Sequence, residues 1–297
     1  MKNHNRESFF KYFTADTLKK VLETQRFRWS APKRFNDPFD HLFMISDEDS
    51  PDEHKAWFLA ETEKIVFSTE SPQTSHPSIY SAGLIRLRRF SNKMNRADFR
   101  AQMELAFEEG KMRAIKYLDS VNKEWEQAIE TARIFCVSEE PQNLLMWAHY
   151  GGEHSGAVIE LKCIEDFDTP LCAARKVEYR SKMPKLGSFK EMFLNGLGQA
   201  PTPTNEKLYY DLAFVKSENW AYEQEWRCIT YRNEPGDYSD YKFYPDEIAN
   251  VYLGCRMKHE DKFEILQIIK KHYVHAAVFQ MKVDKQEYRL LSEKIDC

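Results

Sequence analysis

Seven short runs of β-branched and aromatic residues, bounded by turn residues, constrain this chain more than any other feature of its sequence. Runs of this length and composition are typical of strands. They are Ile134 to Val137, Ala157 to Leu161, Val177 to Tyr179, Trp226 to Tyr231, Val251 to Leu253, Ala277 to Val283 and Tyr288 to Leu291. Three segments between these runs have the apolar spacing of helices: Asn143 to Tyr150, Asn205 to Val215 and Glu260 to His272. Strands and helices therefore do not alternate regularly. The pattern predicts an α+β protein with a mixed or antiparallel central sheet.

A charged, helix-favouring stretch precedes these strands. It runs from Pro51 to about Arg133 and is interrupted by a linker between Ser68 and Ser81. Apolar residues recur in it at helical intervals, with Gly110 as a candidate break or bend: Phe99, Met103, Phe107, Ala114, Leu118, Val121, Trp125 and Ile129. This stripe either packs onto the body of the protein or binds a partner. We predict one α+β domain over residues 1–297 with a helical insertion at 51–132.

Composition narrows the class of protein. Hydrophobic residues make up 42% of the chain and aromatic residues 14%, which is too apolar for a disordered segment. The formal charge of −4 provides no global attraction to nucleic acid, although a local basic face is still possible.

The opening residues lack a secretory leader, and no run is long enough to span a bilayer, so a cytoplasmic protein without membrane contact is expected. The six cysteines form no C-x-x-C pair, and buried free thiols are favoured over disulfides or zinc ligands.

Three segments combine polar groups with aromatic neighbours: Phe35 to Asp40, Ser138 to Tyr150 and Trp220 to Arg227. In the third, strand alternation places Glu223, Glu225 and Arg227 on one face. Two adjacent carboxylates repel, so either one pKa rises or a cation, here Arg227, holds both charges. The alternative is a surface ladder of Glu and Arg at the start of a strand.

The histidines do not predict a metal site. His149 and His154 straddle two glycines, so one continuous helix face does not present both rings, and the sequence has no HExxH pattern. We therefore predict no metal ligand and expect His149 to be a structural histidine.

The same polar segments carry a resemblance. FNDPFD, MWAHY followed by HSGAVIE, and WAYEQEWR occur in an order that closely resembles a widespread bacterial family of uncharacterised proteins, a domain of unknown function. The element order is also distantly similar to the ADP-ribosyltransferase fold, which includes toxins that modify DNA or RNA with NAD. The residues that carry this second likeness are Lys11-Tyr12 on the first strand, Cys136-Val137-Ser138 ending a later strand, and Glu223-Gln224-Glu225. The sequence departs from that fold in having no Arg or His in the first motif and C-V-S in place of S-T-S.

The second resemblance implies a central sheet of ADP-ribosyltransferase type and an enzyme that consumes NAD as a substrate. It implies that Glu225 stabilises the sugar cation and that Glu223 orients or deprotonates the acceptor. We also assign Arg227 to the catalytic residues, as the cation that holds the two carboxylates. The residues assigned to NAD binding are Lys11, Tyr12, Asn36, Asp37, Ser138 and Tyr150. Asn36 and Asp37 are equally typical of a turn that bonds its own backbone.

Three alternative functions are therefore compared. The first is a transferase acting as a toxin or phage-defence effector, with a nucleic-acid or protein acceptor and an antitoxin or defence protein as a further partner. The second is a nuclease in which Asp37, Asp40 and the Glu223/Glu225 pair hold magnesium or manganese. The third is a non-catalytic module that binds a nucleotide or a partner.

Overall fold

The computed structural model describes residues 2–45, 50–72, 74–201, 212–233 and 236–296. Its α-helices over these ranges are α1 (Ala15–Thr24), α2 (Pro51–Phe67), α3 (Ile79–Arg88), α4 (Arg96–Thr131), α5 (Leu144–His149), α6 (Phe189–Gly196) and α7 (His259–His272). The strands are β1 (Ser8–Phe13), β2 (Arg26–Ser30), β3 (Met44–Ile45), β4 (Ala132–Val137), β5 (Ala157–Lys162), β6 (Arg175–Lys176), β7 (Glu178–Arg180), β8 (Lys185–Gly187), β9 (Val215–Ser217), β10 (Trp226–Tyr231), β11 (Tyr238–Lys242), β12 (Ile248–Leu253), β13 (Ala277–Val283) and β14 (Leu290–Ile295).

The predicted elements agree well with these bounds. Each of the seven predicted runs overlaps a strand, and those at 226–231 and 277–283 coincide with β10 and β13. The helices predicted at 143–150 and 260–272 are α5 and α7. Most of the helix predicted at 205–215 lies outside the described residues, and its last residue, Val215, begins strand β9. The prediction of a mixed α and β protein with a mixed sheet is confirmed.

Two compact units make up the chain. The first consists of residues 1–41, 128–182 and 214–297, and the second of residues 42–127 and 183–213. The second unit thus contains most of the predicted insertion together with a segment that the sequence did not assign to it. One domain over residues 1–297 stays a prediction.

Two five-stranded sheets form the first unit. The first sheet has the order β1-β5-β12-β13-β14 and the second has the order β11-β2-β4-β10-β6. Neighbouring strands are antiparallel except for β12 and β13, which are parallel. One continuous hydrophobic core includes Phe9 of β1, Phe27 of β2, Phe135 of β4 and Ile159 of β5. Burial of this apolar area stabilises the arrangement of both sheets.

A single bridge joins β1 of the first sheet to the residue that follows β4 of the second. The Phe10 amide donates to the Ser138 carbonyl (2.9 Å), and the Ser138 amide donates to the Phe10 carbonyl (2.8 Å). Beside this isolated bridge, side chains of β1 and β4 line an opening: Phe10, Lys11 and Tyr12 from β1, and Cys136 and Val137 from β4.

Helices dominate the second unit. Phe58 of α2, Leu84 of α3, and Phe99, Met103 and Phe107 of α4 form its core. The first three residues of the predicted apolar stripe, Phe99, Met103 and Phe107, therefore lie on a buried face of α4. Gly110 neither breaks nor ends α4, which continues to Thr131, and a Cβ at this position would lie 2.9 Å from the ring of Phe193.

Within the described ranges, none of the helices combines the length and the apolarity that crossing a bilayer requires. The five described cysteines are free thiols, of which Cys172 and Cys228 are buried, whereas Cys297 lies outside the described residues.

Candidate functional site

A cavity of about 260 Å³ opens in the first unit beside the bridge between the two sheets. Seven of the nine residues assigned to catalysis or NAD binding line it: Lys11, Tyr12, Asn36, Ser138, Tyr150, Glu223 and Glu225. They come from β1, the loop after β2, the end of β4, the end of α5 and the segment before β10. The fold therefore brings together residues that are more than 200 positions apart in the sequence.

The Glu223-Gln224-Glu225 segment differs from the predicted strand. Glu223 ends a 3₁₀ turn (Glu218–Glu223), Gln224 has a left-handed backbone (φ 45°, ψ 50°), and β10 begins only at Trp226. The left-handed residue interrupts strand alternation, so that prediction was wrong for Glu223 and Glu225. The surface ladder was also wrong, because Glu223, Glu225 and Arg227 are 4%, 5% and 0% exposed.

Side chains from neighbouring elements fix this turn. The Ser138 hydroxyl donates to the Glu223 carbonyl (2.6 Å), and the Asn143 amide donates to the Tyr222 carbonyl (2.8 Å). The Tyr179 hydroxyl accepts from the Glu225 amide (2.8 Å). Ser138 is thus committed to holding the turn, and this contact orients both glutamates toward the cavity.

Lys216 of β9 binds both glutamates. Its Nζ lies 2.6 Å from Glu223 Oε2 and 3.2 Å from Glu225 Oε2, and all three side chains are nearly inaccessible to water. Burial opposes the charge of Lys216, but the attraction of the two carboxylates outweighs it and raises the pKa of the ammonium group. The sequence prediction missed Lys216, whose only signal is a lysine directly after the apolar run Leu212 to Val215.

Arg227 lies behind Glu225 and does not line the cavity. Its Nε and Nη2 donate to the two oxygens of Glu225 (2.8 and 3.1 Å), and its Nη1 and Nη2 donate to the two oxygens of Asp40 (3.0 and 2.6 Å). Such two-point contacts fix direction as well as distance. This geometry makes Arg227 a positioning residue for Glu225 and Asp40, and its role in catalysis stays a prediction.

The two glutamates have opposite pKa shifts. Burial opposes ionisation of Glu225, but the charges of Arg227 and Lys216 lower its pKa to about 2. Burial and the neighbouring Glu225 charge raise the pKa of Glu223, although Lys216 and Tyr150 act in the other direction. Paired carboxylates whose environments separate their pKa values are suited to different roles, one fixed as an anion and one able to carry a proton.

Tyr150 connects Glu223 to the loop after β2. Its hydroxyl donates to Glu223 Oε1 (2.6 Å) and accepts from the Asn36 amide (2.8 Å). Burial and the Glu223 charge raise the pKa of the phenol, so Tyr150 stays protonated and acts as a donor. Asn36 is exposed at the mouth of the cavity, while its neighbour Asp37 is buried and does not line the cavity.

Asp37 bonds its own turn, and Tyr12 bonds the segment that follows β4. Asp37 Oδ1 accepts from the Phe39 amide (2.9 Å), the bond expected of a turn-forming aspartate, while its Oδ2 is buried and has no hydrogen-bond partner among the described residues. The Tyr12 hydroxyl donates to the Glu140 carbonyl (2.8 Å), and its ring contacts the edge of Trp147. Tyr12 therefore contributes a wall to the cavity, and its hydroxyl is already used.

Lys11 adds a cation to the cavity wall. Its Nζ donates to the Cys136 carbonyl (2.5 Å) and lies 4.9 Å from the centroid of the Phe135 ring. Burial lowers the pKa of Lys11, although the nearby charges of Glu225 and Glu223 act against the shift. His149, by contrast, hydrogen-bonds the Tyr222 hydroxyl through Nδ1 (2.9 Å), which is a structural contact. Across the described residues, no three His, Cys, Asp or Glu side chains are grouped as metal ligands.

Comparison with known proteins gives one match. Neither a curated protein nor a solved structure matches the chain. The profile of a family described as "Protein of unknown function (DUF2971)" matches residues 146–228, less than a third of the chain. The matched segment includes Tyr150, Lys216, Glu223, Glu225 and Arg227, whereas β1 and the loop after β2 lie outside it. The chain is thus similar, over the segment that supplies both glutamates and both of their cations, to an uncharacterised family.

Proposed function

We propose that the protein is an ADP-ribosyltransferase-like enzyme that cleaves the bond between nicotinamide and ribose in NAD at this cavity. The observation that carries the proposal is the glutamate pair: two buried carboxylates with opposite pKa shifts line the same cavity. Nothing in the comparisons names an activity, so the proposal rests on the chemistry of these residues and on the resemblance in element order.

Glu225 takes the role of the fixed anion. When the glycosidic C–N bond breaks, nicotinamide leaves with the electron pair and positive charge builds up on the ribose. An ionised carboxylate beside the ribose stabilises that charge, as in glycoside hydrolysis. Because Arg227 and Lys216 hold Glu225 ionised and in place, little reorganisation is needed when the charge develops.

Glu223 takes the role of the base. The acceptor attacks the ribose carbon and loses a proton, which Glu223 receives. A carboxylate whose pKa is raised is the stronger base once it is ionised. Lys216 and Tyr150 contact its two oxygens at 2.6 Å each and favour its ionised form.

The remaining lining residues fit a flat ring and a sugar. Phe10, Tyr12, Phe35 and Tyr150 supply aromatic walls, and Asn36 supplies an amide. The volume of about 260 Å³ is slightly below the roughly 300 Å³ at which small-molecule sites begin, so it accommodates one end of a dinucleotide. Arg34, exposed at the rim, is available to the pyrophosphate.

The two other functions are less well supported. A metal-dependent nuclease would need open carboxylates, but Asp40 and Glu225 are bonded to Arg227, and both glutamates are bonded to Lys216. A non-catalytic binding module would not need carboxylates with separated pKa values. The ADP-ribosyltransferase fold, the toxin or phage-defence role and the cytoplasmic location stay predictions.

The test is release of nicotinamide from NAD by the purified full chain, with and without candidate acceptors, followed by chromatography. We expect release by the wild type and a loss of at least about 100-fold in Glu225→Gln, on the order of removing one electrostatic contact to a transition state. Glu247→Gln is the matched control, because Glu247 is equally buried (4% exposed) but lines a different cavity of the same unit.

Circular dichroism establishes that each variant is folded. If folded wild-type protein neither shifts its melting temperature with NAD nor releases nicotinamide, the proposal is abandoned. Activity that is indifferent to NAD but abolished by a chelator would instead support the nuclease. Biological function that survives Glu223→Gln and Glu225→Gln together would support the binding module.

A further inference from the structure

The second unit contains a long stretch without acidic residues. Between Glu70 and Asp98 the sequence has no Asp or Glu, yet it carries Arg86, Arg88, Arg89, Lys93 and Arg96. The whole chain has a formal charge of −4, so this stretch opposes the average charge of the protein. Local basic clusters of this kind are the usual electrostatic feature of a nucleic-acid surface.

Helix geometry places most of these charges on one side. Arg86, Arg89 and Phe90 follow spacings of three and four residues at the end of α3, and Lys93 ends the 3₁₀ turn Ser91–Lys93 that comes next. All four are exposed, and Phe90 is 55% exposed. We call these four residues the basic face. Gly83, one turn earlier on this side, has open space where a Cβ would point.

The cations of the basic face are available to a ligand. Among the residues that the structure describes, Arg86, Arg89 and Lys93 have neither a hydrogen bond nor an ion pair from their side chains. Arg88, on the inner side, is used differently, since it donates to the carbonyls of Ile65 and Glu70.

The acidic side chains of the neighbouring helix α2 have partners elsewhere. Glu61 accepts from Gln199 (2.9 Å) and Glu63 accepts from Arg100 (2.8 Å). Neither of these contacts involves a cation of the basic face.

Three exposed cations and one exposed aromatic ring within a short segment fit a single nucleic-acid strand. Its phosphates are attracted to the cations, and its unpaired bases can stack on a ring such as Phe90, whereas a duplex hides the base faces. A helix that lies on a membrane needs a continuous apolar face, and here cations alternate with Phe90.

We infer that the basic face binds single-stranded nucleic acid, through phosphate contacts of Arg86, Arg89 and Lys93 and base stacking on Phe90. This surface is independent of the proposed chemistry, because all four residues belong to the second unit and the cavity belongs to the first. It is a different site, and it needs no NAD.

The experiment measures fluorescence anisotropy of a labelled oligothymidylate with the full chain over a range of salt concentrations. The variant R86Q/R89Q/K93Q removes three cations. The slope of log K against log salt should therefore decrease in magnitude by about 2, because each phosphate of a single strand that a protein cation neutralises contributes about 0.7. F90A should weaken binding on the order of tenfold at unchanged slope, and F90W should retain it.

The matched control is R113Q/K116Q/K123Q, which makes the same change in net charge on exposed positions of α4 in the same unit. Its slope should stay at the wild-type value. An equal decrease in the control, an unchanged slope in the basic-face variant, or no binding by the wild type would overturn the inference. Binding to phosphatidylserine vesicles but not to the oligonucleotide would overturn it in favour of a membrane surface. Each result holds whether or not the protein consumes NAD.

Discussion

Replacing Arg227 by Met should destabilise the first unit by several kcal/mol. In the native protein the guanidinium bonds two carboxylates, Asp40 and Glu225, at 2.6 to 3.1 Å, and the three side chains are at most 6% exposed. Removing one partner of a buried ion pair costs about 3–5 kcal/mol, because the remaining charge is left without compensation. Two carboxylates lose their partner here, but Lys216 still contacts Glu225 at 3.2 Å. We therefore expect about 4 kcal/mol, measured by urea denaturation at pH 7.

The loss of stability should depend on pH with a definite sign. Arg227 lowers the pKa of Asp40 and of Glu225, the latter to about 2, against roughly 4 in an unfolded chain. The stability that these shifts contribute is present above the unfolded pKa and disappears as the pH falls toward the folded pKa. The difference between the wild type and Arg227→Met should therefore be largest above about pH 5 and decrease toward pH 2.

Two further variants separate charge from packing. The triple variant Asp40→Asn, Glu225→Gln, Arg227→Met removes the stranded charges and should recover most of the stability, since a buried ion pair can be replaced by neutral groups at little cost. Arg28→Met breaks an exposed pair with Asp240 in the same sheet and should cost less than about 1 kcal/mol. A destabilisation below about 1 kcal/mol in Arg227→Met, or one that does not change between pH 3 and pH 7, would refute the reasoning.

Two predictions concern Glu223 and assume the proposed function. Nicotinamide release should rise with pH through the pKa of Glu223, which burial and the Glu225 charge raise. Tyr150→Phe removes a hydrogen bond that lowers this pKa, so the pH profile of release should move to higher pH. A pH profile that stays in place would contradict the assignment of Glu223 as the base. Lys216→Met removes a cation from both glutamates and should shift the same profile further upward, whereas Lys216→Arg should restore part of it. An unchanged pH profile in folded Lys216→Met would show that Lys216 does not set the ionisation of Glu223.

Seven of the nine residues assigned from the sequence line the cavity, because short local motifs identified them, whereas their roles stay predictions. Ser138 ends a strand, Tyr12 lies in an aromatic strand, and two glutamates are separated by one residue. Local spacing nevertheless gave the wrong conformation for the glutamates. The left-handed backbone at Gln224 depends on contacts of the turn with Ser138 and Tyr179, which no spacing of its own residues reveals.

The sequence did not reveal which distant residues contact one another. Asp40 and Arg227 are 187 residues apart, and Lys216 meets its glutamates only because β9 pairs with β7. The segment 183–213 joins the second unit through contacts with helices more than 80 residues earlier. Composition and periodicity identify the elements, but they carry no information on which distant elements meet.

The proposed chemistry accounts for a costly cluster of buried charges beside a cavity. Asp40, Glu223 and Glu225 contact Lys216 and Arg227, so three carboxylates share two cations, and Glu223, whose pKa is raised, is the one of the three that takes up a proton most easily. In the proposed reaction the positive charge moves from the nicotinamide ring to the sugar. An anion that is immobile beside the sugar stabilises the transition state more than the ground state, and only such a difference accelerates a reaction. Glu225, buried and held by two cations, meets this requirement, which an exposed and mobile carboxylate would not.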